Sequence, residues 1–329
     1  MNIFHPKQFN NLASLVKLKK EKNLTIGIAI PILNEIQTLE RTIKVVLDCK
    51  ELIDEVVFLD SGSTDGSVEY CKKLGIKVIS DIKTAQILNV QLARGKGWNL
   101  WSSLYYLDAD IIAWVDSDLK NFNKKFITGI IGPMLQDDKV KFVKGYWCRK
   151  NSGGRITEIM VRPFINLVFP ELREFIQPLS GEYGGRKDFL RSLVFYSGFS
   201  VEFAVLVQAR MLLNDDEIVQ SFLGKRLHAN QSTKSLGKIS SSILFTMLYF
   251  AKQLDRLKYE DDDMGKSLLS FYSEDGKEIC IERSSVVEKA LPPINSLLKI
   301  NTISSEYNYD KRNYEKEFKN FHQGHHLPR

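Results

Sequence analysis

The stretch LTIGIAIPILNE, residues 24–35, is an apolar, largely β-branched run that ends at Pro31 and a polar turn. A run of this kind, without polar alternation, fits a parallel strand buried on both faces that delivers a loop at its C-terminal end. Helical spacing follows through Leu39, Ile43, Val46 and Leu47. EVVFLDSGSTDGS, residues 55–67, repeats the arrangement, with an Asp/Ser/Gly turn and then helical spacing through Val68, Cys71 and Leu74. IKVIS (76–80) is a third short strand, and ARGKGWNLWSSLYYL (93–107) is a Gly-Lys-Gly turn entering an amphipathic helix. IIAWVDSDLKNF (111–122) is a fourth strand, breaking at Asp116-Ser117-Asp118. Strands alternating with helices imply right-handed crossovers and an open, mostly parallel α/β sheet whose ligands bind outside the strands' carboxyl ends. The turns IPILNE, DSGSTDGS and VDSD all lie at such ends and are expected to converge on one crevice.

From about residue 140 the pattern changes. KFVKGYWCRK reads as a strand and NSGGRITEI as a Gly-rich turn leading into a helix, added to the same sheet and not a separate globule. Residues 177–210 combine a Gly-rich loop, QPLSGEYGGRK, with a helix carrying Glu202, and GKRLHANQ (224–231) reads as strand to loop. Residues 235–258 form a long amphipathic helix, ended by the acidic loop YEDDDMGK, and the polar tail NYDKRNYEKEFKNFHQGHHLPR reads as a helix with a frayed end.

The 329 residues, 43% hydrophobic and 26% charged, can bury a large core and have the composition of a globular protein. The net charge of +6, from 46 basic and 40 acidic side chains, is scattered along the chain. Scattered positive charge suits anionic small ligands and does not call for nucleic acid. The clusters KLKKEK (17–22) and KNFNKK (120–125) read as solvated surface. Cys49, Cys71, Cys148 and Cys280 lack zinc-ligand or redox spacing and read as reduced thiols. MNIFHPKQFNN has no apolar signal core, and no run approaches the roughly 18 apolar residues that span a bilayer, so a cytoplasmic protein without membrane contact is expected.

Taken alone, Asp-x-Asp at a strand end is ordinarily a helix cap or a turn. The chemical alternative is a divalent cation held by carboxylate oxygens against a phosphorylated ligand. Gly95-Lys96-Gly97 lacks P-loop spacing, Gly62 and Gly66 lack dinucleotide-fold spacing, and no G-x-S-x-G occurs. Asp116 and Asp118 are expected to point to opposite faces, which counts against the paired carboxylates of a glycoside hydrolase. His228 is the one histidine far from both termini, between Arg226 and Asn230.

In order along the chain, IPILNE, LDSGSTDGS, GKG before a helix and a strand ending in DSD resemble nucleotide-sugar glycosyltransferases of the GT-A fold. The second half is more specific: GGRITEIMVRPFINLVFPEL, QPLSGEYGGRKDFL, FSVEFAVLVQA and GKRLHANQ resemble the glucosyl-3-phosphoglycerate synthases, retaining enzymes of glucosylglycerate formation. The resemblance runs from about residue 24 to residue 250. It implies a GT-A fold, Rossmann-like with a mostly parallel sheet flanked by helices. Residues 1–140 would be the nucleotide-sugar-binding half, 141–234 the acceptor-binding half and 235–329 a helical C-terminal extension.

By the same resemblance, Pro31, Ile32, Leu33, Glu35 and Ser61 surround the nucleoside, Lys96 reaches toward the base or phosphates, and Asp116 and Ser117 contact the nucleotide. Asp118 and His228 hold Mg²⁺ or Mn²⁺ against the diphosphate, with Arg226 assisting. Gly154, Arg155 and Thr157, at a helix N-terminus, and Asn230 bind 3-phosphoglycerate. Glu202 and the backbone of Leu179 line the glucose pocket, with Glu202 in sugar positioning before nucleophilic catalysis. Phe199 stands where a tyrosine can occur in the family, so no hydroxyl contact is implied there. The donor is UDP-glucose, with GDP- and ADP-glucose as alternatives. Rival acceptors are free glycerate and polyprenyl phosphate, a non-catalytic nucleotide-sugar-binding protein is a rival of another class, and the family implies a homodimer.

Overall fold

The structure, a computed structural model, describes residues 2–4, 6–148, 154–227, 231–257, 268–272, 280–284 and 289–298. The chain opens with β1 (Asn2–Phe4), a 3₁₀ turn (Pro6–Phe9) and α1 (Leu12–Glu21). Regular alternation follows: β2 (Ile26–Ile32), α2 (Ile36–Asp48), β3 (Glu55–Asp60), α3 (Ser67–Lys73), β4 (Val78–Ser80), α4 (Asp81–Leu88), α5 (Lys96–Tyr106), β5 (Ile111–Trp114), α6 (Lys124–Gln136) and β6 (Phe142–Cys148). A π-helical turn (Thr157–Val161) runs into α7 (Arg162–Val168), then come β7 (Tyr183–Arg186), α8 (Lys187–Ser192), β8 (Phe195–Tyr196), α9 (Val201–Leu212) and β9 (Ile218–Lys225). The chain continues with α10 (Thr233–Gln253), β10 (Leu268–Tyr272), β11 (Cys280–Ser284), β12 (Ala290–Leu291) and α11 (Ile294–Leu298).

Eight strands form one sheet in the order β1-β9-β6-β7-β5-β2-β3-β4, parallel throughout except for β7, which runs against both β5 and β6. The early strands bury both faces, as their unbroken apolar runs require. Ala29, Val57, Leu59, Ile112 and Trp114 point into one core, while Ile28, Ile30, Phe58, Ile111 and Ala113 point into the other. The strands that follow residue 140, β6, β7 and β9, join this sheet, as the sequence pattern implies.

Three expectations need correction. The "loop" QPLSGEYGGRK contains β7: a Cβ on Gly184 would lie 2.7 Å from Ile112 O, and one on Gly185 2.7 Å from Lys141 O. Those glycines permit close strand approach inside the sheet; they do not make a turn. KLKKEK is not wholly solvated, because Lys19 is buried and its Nζ reaches Asp54 Oδ1 at 2.7 Å. The C-terminal extension is not purely helical: β10 and β11 pair antiparallel, and β12 pairs with β8. α4 and β1 had no counterpart in the sequence pattern. The acidic loop YEDDDMGK and the polar tail lie outside the described residues.

Candidate active site

The C-terminal ends of β2, β3 and β5 open onto a cleft of about 710 Å³. Much of the polar sequence around it builds the loops themselves. Asp60 accepts from the backbone N–H groups of Gly62 and Ser63, both at 3.0 Å. Asn34, at φ +59°, accepts from Thr64 N at 2.8 Å, and Asp65 accepts from Ile36 N at 2.9 Å. DSGSTDGS thus braces the turn after β2 by side-chain turn chemistry. Ser61 remains on the cleft wall, and Asn99 Nδ2 donates to its Oγ at 2.9 Å and to Leu59 O at 3.0 Å.

Pro31, Leu33 and Glu35 line the same wall, and Ile32 joins it while its side chain packs in the core. Burial, reinforced by Asp118, raises the Glu35 carboxyl to about 7. Ser117 also lines the cleft, but its hydroxyl is committed to Pro31 O at 2.7 Å.

The centre of the cleft is a network of buried charges. Lys96 Nζ lies 2.6 Å from Asp116 Oδ1 and 2.7 Å from Glu202 Oε1, so its ammonium joins the β5 end to α9 at the cleft wall. Arg226 Nη2 donates to Asp116 Oδ2 at 2.9 Å and to Asp118 Oδ1 at 3.2 Å. Against the upward push of burial, Lys96 and Arg226 hold Asp116 at about 2, while Asp116 and Glu202 raise Lys96 above its ordinary range despite burial. One guanidinium bridging both carboxylates overturns the expectation that Asp116 and Asp118 face apart. Residues two apart share a face along a strand, and β5 ends before them at Trp114.

Local bonds place Arg226 there. Lys120 N donates to Leu227 O at 2.9 Å, Leu227 N to Asn121 Oδ1 at 2.8 Å and Asn121 Nδ2 to Lys225 O at 2.7 Å. The chain leaving β9 is thereby laced to the loop that leaves β5. Trp147 stacks on the Arg226 guanidinium with its ring centroid 4.6 Å away.

Glycines make room for this packing. A Cβ on Gly181 would strike Asp116 Oδ2, and one on Gly97 would strike Tyr196 O. Leu179 lines the cleft in the same loop as Gly181.

Gly154 (φ +76°), Arg155 and Thr157 also line the cleft and begin the helical segment that leads into α7. Arg155 Nη2 donates to Gln231 O at 2.6 Å. His228 and Asn230 lie outside the described residues. Among the described residues no three His, Cys, Asp or Glu side chains form a metal-ligating group. Asp118 is nevertheless 38% exposed at the cleft, the oxygen donor that a hard divalent cation shares with ligand phosphates.

Several residues here were not singled out from sequence. Glu182 is fully buried with its carboxylate 3.6 Å from Arg226 Nη1, and burial raises it against the pull of that arginine. Lys144 is buried and donates to Ser180 O at 2.9 Å, pinning the 179–181 loop. Arg94, Asn99 and Trp147 also line the cleft. Only the proximity of Glu182 to PLSG and of Arg94 to GKG marked them in one dimension.

A cleft at the carboxyl ends of a mostly parallel sheet, with an Asp-x-Asp turn at its centre, defines a glycosyltransferase of the GT-A class. Residues 27–194 match the family model described as glycosyl transferase family 2. The glucosyl-3-phosphoglycerate synthase of Petrotoga mobilis is 37% identical over 309 residues, covering 89% of this chain and 90% of that protein. The chain belongs to the glucosyl-3-phosphoglycerate synthase family. The Mycobacterium tuberculosis enzyme of that name, solved with Mn²⁺, UDP-glucose and phosphoglyceric acid, superposes with a TM-score of 0.76 at 31% identity, over 87% of this chain and 95% of that one. Mannosyl-3-phosphoglycerate synthase from Rubrobacter xylanophilus gives a TM-score of 0.82 at 26% identity, over 90% and 96% of the two chains. No described helix is long and apolar enough to cross a membrane.

Proposed function

We propose that this chain transfers glucose from UDP-glucose to the 2-hydroxyl of 3-phosphoglycerate with retention of anomeric configuration, forming glucosyl-3-phosphoglycerate. The observation that carries this is that one cleft is lined both by Ser61, Asp116 and Asp118 and by Gly154, Arg155 and Thr157. That the M. tuberculosis relative was solved with UDP-glucose and phosphoglyceric acid together supports the same pair of substrates here.

In this scheme residues 1–140 bind the donor and 141–234 the acceptor, and the Lys96–Glu202 ion pair joins the two halves at the sugar. Pro31, Ile32, Leu33, Glu35 and Ser61 surround the nucleoside, and Asp116 and Ser117 orient the nucleotide. Gly154, Arg155 and Thr157, with Asn230, take the acceptor's phosphate and carboxylate, for which a guanidinium, a hydroxyl and backbone N–H groups are suitable donors. Glu202 is already tied to Lys96, which favours a role in positioning the sugar over nucleophilic attack. Asp118, with His228, would hold Mg²⁺ or Mn²⁺. That cation neutralises charge on the departing nucleoside diphosphate. Arg226 directs its guanidinium to the same place, and leaving-group stabilisation is the chemistry it can supply.

Purified protein with Mg²⁺, UDP-glucose and 3-phosphoglycerate should release UDP, and the product's anomeric coupling constant reports retention. Absence of release with UDP-, GDP- and ADP-glucose alike defeats the proposal. The higher TM-score of the mannosyl enzyme makes mannose the second reading, tested by offering GDP-mannose in parallel.

A further inference from the structure

Arg94 is a polar group in the cleft to which the donor scheme gives no role. Its side chain is 64% exposed, whereas Asp81, whose Oδ2 lies 3.1 Å from Arg94 Nε, is 3% exposed. Asp81 opens α4 immediately after β4, which pairs with β3. The tether therefore fixes Arg94 at the β3–β4 side of the cleft, beyond Ser61 and toward the sheet edge away from β6 and the 154–157 segment. Asp81 engages Arg94 through Nε as an ion pair, and among the described residues the two Nη groups of Arg94 donate no hydrogen bond.

Ser61 has a defined polarity at the same place. Asn99 Nδ2 faces Leu59 O, which can only accept, so the amide orientation is set by that carbonyl. The same nitrogen donates to Ser61 Oγ, leaving the serine proton to be donated elsewhere. The nucleoside end of the cleft thus presents hydrogen-bond donors, a guanidinium fork and a hydroxyl, beside the apolar surface of Pro31 and Leu33. A planar ring with acceptors along one edge satisfies that arrangement. Uracil offers carbonyl oxygens and guanine offers O6 and N7, whereas adenine places an amino donor where guanine has O6.

We propose that Arg94 is a specificity-determining residue that reads the carbonyl edge of the donor nucleobase, admitting uridine or guanosine diphosphate sugars and disfavouring adenosine. This rests on the nucleotide-sugar function proposed above and narrows its donor class.

The test is calorimetric Kd measurement, in Mg²⁺, of UDP, GDP, ADP and inorganic pyrophosphate with wild-type protein, Arg94→Ala and Arg94→Lys. Wild type should bind UDP or GDP at least tenfold more tightly than ADP. Arg94→Ala should weaken the preferred nucleotide by about tenfold to a hundredfold, the scale of one bidentate base contact, and change ADP and pyrophosphate less than twofold. Arg94→Lys should be as weak as Arg94→Ala, because one ammonium cannot reproduce the fork. Equal loss for all three nucleotides, full recovery with lysine, or no loss overturns the proposal while leaving the transferase function standing. Wild-type protein that binds none of the nucleotides brings down both.

Discussion

Lys96, Asp116, Glu202 and Arg226 neutralise one another inside the cleft, so removing one leaves its partners buried and uncompensated. Lys96→Met strands Glu202, leaves Asp116 with Arg226 alone and should cost roughly 3–5 kcal/mol in urea unfolding, as for other broken buried pairs. Asp118 differs because it is 38% exposed and water can replace Arg226 around it. Asp118→Ala should hold stability within about 1 kcal/mol of wild type, since its ion pair is partly solvated. It should lose turnover and the Mg²⁺-dependent part of UDP affinity, read by product release and by calorimetry with and without metal. Unchanged turnover would remove Asp118 from the metal role and leave it a loop carboxylate. Asp-x-Asp could be found in the sequence because the apolar run stops there. The bridging of its two carboxylates by one guanidinium could not, because it depends on Arg226 arriving from a distant segment.

At the scale of elements, β7 is the one strand of the eight-stranded sheet that runs against its neighbours. It lies between β5 and β6 and follows directly from the loop carrying Leu179, Gly181 and Glu182. Gly184→Ala should destabilise the protein by roughly 1–3 kcal/mol, the usual cost of overpacking, because its Cβ would meet Ile112 O at 2.7 Å. Urea denaturation measures it, and a neutral result would mean that β5 and β7 can separate without loss. β2, β3, β5 and α5 were legible as strand or helix since their apolar periods are long. β7 was not, because Tyr-Gly-Gly-Arg has turn composition and its extended form is imposed by strands on both sides. The helix α4 was missed because its eight residues carry little periodic signal.

Across the whole molecule, burial and the ring of charges around the cleft also tie stability to pH. Lys144 is fully buried, and desolvation, only partly opposed by Glu202, lowers its ammonium from 10.5 to about 7. The unfolded chain keeps that proton up to about 10.4, so folding releases it between the two values and this group's contribution rises with pH across that window. Wild type compared with Lys144→Met should therefore gain on the order of 1–2 kcal/mol between pH 7 and pH 9 by urea unfolding at each pH. A difference that does not vary with pH would show that Lys144 stays charged in the fold. The sequence by itself determined the α/β alternation, the strand ends that face the cleft and the family motifs, because backbone hydrogen bonding and one-dimensional apolar patterning are local. Only the tertiary structure decided that Arg226 bridges Asp116 and Asp118, that Lys96 is held by Glu202 and that Arg94 stands over the β3–β4 edge. Those pairings join segments up to 110 residues apart, and their energies come from shared burial that no local pattern records.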